Sequence, residues 1–89
     1  MPPSLPGANL VEQGIADLAR GVESVAALLV SIGAPRLRRL GYDVPPAPPG
    51  AEHRLYELLK SQHPDAAHSR YNALIRRLVS FERVAECAR

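Results

Sequence analysis

The chain has no tryptophan and no threonine, one phenylalanine, three tyrosines, one cysteine and one lysine. With Cys87 as the only thiol, no internal disulfide can form, and a reducing compartment is the natural setting. The shortage of aromatics predicts an interior of Leu, Val, Ile and Ala, and removes the stacking platforms that hold single-stranded nucleic acids. The longest strictly apolar run, Val25 to Val30, falls far short of the ~20 residues that span a bilayer. The N-terminal MPPSLPG has neither the positive charge nor the apolar stretch of a signal peptide, so a cytoplasmic protein with no membrane partner is expected.

Chemistry-bearing patterns are equally sparse. His53, His63 and His68 come without Cys-x-x-Cys, His-Glu-x-x-His or another paired-ligand spacing, so no metal site is expected. His53 lies one turn before Glu57, a spacing compatible with an ion pair. No serine sits in a G-x-S-x-G setting, and no glycine-rich phosphate loop occurs. Cys87 falls near the C-terminal end of a predicted helix, where the negative end of the macrodipole raises a thiol's pKa instead of lowering it. No catalytic residue, cofactor or small-molecule substrate is therefore expected, and the reading is non-catalytic.

What the chain does have is aliphatic residues, arginine and proline. Apolar residues make up 46% of the 89, enough for one small core that is only marginally stable alone, so a homodimer is a serious alternative. Ten of the eleven basic residues are Arg, which together with abundant Ala, Pro and Gly suggests a GC-rich bacterial coding bias. Residues 1–34 carry Arg20 against Glu12, Asp17 and Glu23, whereas residues 35–89 carry ten basic and six acidic side chains. Opposite signs in the two halves favour pairing within or between chains as much as a polyanionic partner.

In order, residues 1–8 hold three prolines and a glycine and are read as a disordered tail. The rest, 9–89, reads as a single helical domain. Asn9 and Glu12 have capping-box spacing ahead of a helix from about Leu10 to Arg20, with Val11, Ile15, Leu18 and Val22 inward and Gly21 as its left-handed stop. Gly14 inside it suits close approach of a neighbouring backbone. Ser24 is an N-cap candidate for Val25–Ile32, apolar almost all round and so central; a buried strand is the alternative, disfavoured because no second strand is nearby to pair with it. Gly33 should end that piece and Pro35 open a short third helix to Leu40, closed by Gly41. Residues 44–50, VPPAPPG, form a stiff proline-rich connector. A fourth helix, Ala51–Ser61, shows Ala51, Leu55, Leu58 and Leu59 on one stripe, and a turn at Gln62–Asp65 leads to the last helix.

That last run, Asp65 to Arg89, is the longest without Pro or Gly, and the shorter pieces are expected to pack against it. Ala67, Tyr71, Leu74, Leu78, Phe81 and Ala85 share a face with Ile75 at its edge, and Glu82 intrudes on it, so that it needs water or an Arg from another helix. At about 37 Å the run exceeds a sphere of about 26 Å for this chain length, so part of it should serve a partner. The fold class is thus all-α, a small bundle of four to five helices with a Pro-rich connector. The expected function is a non-catalytic interaction or regulatory protein, binding another protein chain or itself through the last helix, with Arg70, Tyr71, Arg77 and Phe81 as candidate contacts. For Tyr71 the plainer reading is core with its hydroxyl at the surface. The alternative is nucleic-acid binding through Arg36, Arg38, Arg39, Arg76 and Arg83, weakened by the missing aromatics and the compositional bias toward arginine.

Overall fold

The computed structural model describes residues 7–87, and these form four α-helices with no strand among them. They are α1 (Ala8–Ala19), α2 (Val25–Arg39), α3 (Ala51–Gln62) and α4 (Ala67–Cys87). The sequence places its organising element in the last helix; the structure places it in α2. Ala26, Ala27, Leu28, Leu29, Val30, Ser31, Gly33, Ala34 and Leu37 of α2 are all buried, and α2 packs against each of the other three helices. A segment apolar on every side has no face to offer water, so it must be surrounded.

Val25–Arg39 is one helix, not two. Ser24 caps it as expected, its hydroxyl accepting from the Ala27 amide at 3.1 Å. Gly33 does not break it, because α4 crosses there: a Cβ at Gly33 would sit 3.0 Å from Leu78 Cδ2 and 3.1 Å from Glu82 Oε2. Pro35 removes the N–H that would bond to the Ser31 carbonyl. Its neighbours Ala34 and Leu37 are buried, so packing on both sides carries the helix through. The expected third helix is therefore the last turn of α2.

Both α1 and α2 end in the same device. Gly21 and Gly41 have φ of +74° and +101°. The amide after each, Val22 and Tyr42, reaches back to the carbonyls of Asp17 and Leu37 at 2.8 and 3.0 Å. These are Schellman closures, and they turn the chain at the places expected. The start of α1 differs from expectation. It begins at Ala8 behind Gly7, whose carbonyl accepts from Val11, and no side chain caps it, so Asn9 lies inside the helix. The first six residues of the expected tail lie outside the described residues.

Gly14 is where α1 and α2 touch most closely. A Cβ there would fall 2.3 Å from the Ala26 carbonyl oxygen and 2.4 Å from Val30 Cγ2, distances no pair of atoms tolerates. The buried carboxylate of Asp17 ties the same two helices at their turn, accepting from Gln13 Nε2, Arg20 Nη2 and the Ser24 hydroxyl at 2.8, 2.5 and 2.7 Å. On the other side, Leu55 and Leu59 of α3 and Leu78 and Phe81 of α4 complete the core. Between the halves, the connector buries Val44 and is held by Arg38, which donates to the Val44 and Pro45 carbonyls at 3.1 and 2.9 Å.

The envelope measures 38 × 24 × 22 Å, so a 21-residue α4 of about 31 Å fits within it. The overhang expected for a sphere disappears because the bundle is elongated.

Two substitutions test this packing. Gly14→Ala gains up to ~1 kcal/mol of helix propensity but forces backbone apart, and a net loss of about 1–3 kcal/mol is expected in urea unfolding. Ser24→Ala, which removes the cap and one of the three donors to Asp17, is expected to cost about 1–2 kcal/mol in the same assay.

Candidate functional site

The four partner-binding candidates do not form one surface. Phe81 is 1% exposed, its ring tilted against Tyr42 at 5.5 Å between centroids, so it is a core residue and cannot touch a partner of the folded bundle. Tyr71 is half-buried and meets Tyr56 edge-on at 6.0 Å. Burial, and then the charge of Glu52, push its hydroxyl above the usual tyrosine range. Arg70 and Arg77 are exposed and lie two turns apart on the flank of α4 that Gly7 approaches.

The five arginines proposed to meet phosphates divide differently. Arg38 is committed to the connector carbonyls. Arg36 holds Glu86 at 2.5 Å and Glu82 at 3.7 Å. Arg39 stands close enough to favour the charged form of Glu82. Arg76 and Arg83 are exposed and have no carboxylate at ion-pair distance among the described residues. The basic patch is thus partly spent inside the molecule, and what remains open lies along α4.

Arg76 lines a separate hollow with Gly7, Arg77 and Ser80, whereas Arg36 and Arg39 line a groove between α2 and α4. Its walls are Ile32 and Pro35 from α2 and Ile75, Leu78 and Val79 from α4, enclosing about 270 Å³. It continues past Arg36 and Arg39 into a second hollow that reaches Leu40 and Glu86. Val79 is 37% exposed, one of only three large aliphatic side chains that far open among the described residues. Arg76 and Arg83 stand three residues before and four after Val79, which puts them on its side of the helix.

Both wheel position and glycine explain why Glu82 lies in the groove's floor. The periodicity of α4 carries it toward α2, and the missing side chain of Gly33 leaves room for its carboxylate. It is 4% exposed. The expected arginine from another helix is Arg36, whose 3.7 Å separation is an ion pair beyond hydrogen-bond reach. Burial raises the Glu82 pKa above the ordinary carboxylate value; Arg36 and then Arg39 pull it back, and Glu86 pushes it up. Asp17 behaves oppositely: the Ser24 hydroxyl and then Arg20 hold its pKa low despite burial. The sequence reading did not single out Asp17. Its signal was an acid in the last turn of a helix, where the dipole disfavours it unless donors are supplied.

His53 lies 3.9 Å from Glu57, as its spacing suggested. Among the described residues no three His, Cys, Asp or Glu side chains gather as metal ligands would, and no helix is long and apolar enough to cross a membrane.

The raised Glu82 pKa gives a signed expectation. The folded state binds that proton more tightly than the unfolded chain, so Glu82 contributes stability below the unfolded carboxylate range that is lost as pH rises through its folded pKa. Glu82→Gln removes this dependence, and its stability relative to the parent should rise between pH 4 and pH 7 in parallel denaturant titrations. A difference that stays flat with pH contradicts the assignment.

Compared with models of protein families, with curated proteins and with solved structures, the chain matches none.

Proposed function

We propose that this chain is a non-catalytic helical interaction protein that binds another protein chain through α4, using the groove α4 forms with α2. The observation that carries the reading is a strip of aliphatic surface, Ile32, Pro35, Ile75 and Val79, left open between α2 and α4, with the exposed Arg76 and Arg83 flanking Val79 on α4. Open aliphatic surface next to arginine is the composition of protein interfaces, whose centres are apolar and whose anchors are often Arg. Phosphate recognition needs the arginines without the aliphatic strip, and here it loses Arg36 and Arg38 to intramolecular partners. Self-association through the same groove sets two arginine rims against each other, which disfavours it. Head-to-tail pairing is weakened too, because Asp17 and Glu23 of the acidic half are already engaged by Arg20 and Arg54.

The test is site-specific photo-crosslinking in the cell of origin. A photoreactive residue at position 79 is expected to capture one discrete protein species, one at exposed position 53 is not, and a second substitution, Ile75→Asp, is expected to abolish the capture while helicity by circular dichroism is kept. Equal capture at both positions refutes the reading. A crosslinked species of twice the 9.6 kDa chain mass moves it to self-association, and a salt-sensitive mobility shift with mixed DNA and RNA moves it to nucleic acid.

A further inference from the structure

We infer that the occupant of the α2–α4 groove is an acidic amphipathic helix of a partner protein, with carboxylates seven residues apart facing Arg76 and Arg83. This rests on the protein-binding reading above and specifies its partner. The groove and its continuation run along α4 from Ile75 to Glu86, about 16 Å, which is three turns of helix. A helix laid in such a groove presents apolar residues at i, i+3 or i+4, and i+7. Ile32, Ile75 and Val79 at one end and half-buried Leu40 at the other supply the matching apolar contacts.

Charge decides the flank. The acids that line the groove, Glu82 and Glu86, are both engaged by Arg36, so they leave little negative field for a basic partner. Arg76 and Arg83 flank Val79 on α4 with no carboxylate at ion-pair distance among the described residues, two turns and about 10.5 Å apart. A partner helix running roughly along α4, in either direction, repeats the same spacing only with acids at i and i+7. Bidentate carboxylate pairing with arginine would then fix its register.

The experiment is selection from a displayed library of three-turn amphipathic helices against the intact chain. Both the apolar ridge and the flanking positions i and i+7 are randomised. Enrichment of Asp or Glu at both flank positions is expected, with about tenfold weaker binding of the selected peptides to the Arg76→Glu/Arg83→Glu double variant. Selection against that variant should enrich Lys or Arg instead. Val79→Asp should abolish binding of every selected peptide. Circular dichroism confirms that each variant, altered only at exposed positions, remains folded. Peptides that depend on Val79 but show no acidic preference overturn the acidic partner while leaving the protein-binding groove standing. Failure to select any peptide, or peptides indifferent to Val79→Asp, overturns both.

Discussion

The need to cover α2 on every side governs the rest of the molecule. Its residues from Ala26 to Leu37 are buried with few exceptions, so no amphipathic neighbour alone suffices. α1 seals one side at Gly14, α3 another through Leu55 and Leu59, and α4 a third through Leu78 and Phe81. Each of the outer helices needs only one apolar stripe and keeps its charges outward, apart from the buried Asp17 of α1 and Glu82 of α4. Such an arrangement asks little of any single helix and a great deal of the contacts between them, which is why glycines stand at its seams, Gly14 against the α2 backbone and Gly33 against the Leu78 and Glu82 side chains.

The seams are not alike. α1 and α2 meet with no room for even a methyl group, and their turn is fastened by the bonds to Asp17. The α2–α4 seam instead contains a carboxylate, Glu82, and its outer edge is left open beside Val79. Burying an acid there is unfavourable by itself, and Arg36 offsets part of that penalty from a distance of 3.7 Å. A seam built to maximise stability would hold an aliphatic residue at this position. The seam therefore holds a buried ion pair beside an open apolar strip at some cost in stability.

Much of this was legible in the residues. The all-helical class, the caps at Ser24, Gly21 and Gly41, the central place of Val25–Ile32 and the stripe of α3 all follow from local chemistry, which tertiary packing here reinforces. The errors have a common cause in contacts distant along the chain. Gly33 and Pro35 read locally as a break, yet the crossing of α4 at Gly33 holds the helix intact. Asn9 and Glu12 read as a capping box, yet the helix starts earlier, where Gly7 meets α4. The site was legible in fragments: the arginines could be named, but which were open depended on the acids and carbonyls the fold brought to them. Phe81 fell on the apolar stripe and went to the centre of the core, as its size dictates.

The grip of Arg38 on the connector has an effect on how two chains can combine. Prolines 45, 46, 48 and 49 cannot offer amide hydrogens, and the carbonyls of Val44 and Pro45 instead take their donors from a guanidinium. To trade its α3–α4 hairpin with a second copy, the chain must straighten this segment, break both bonds and expose Val44 to water. The tether therefore acts against domain-swapped assembly, keeping the two hairpins of each molecule folded onto one another.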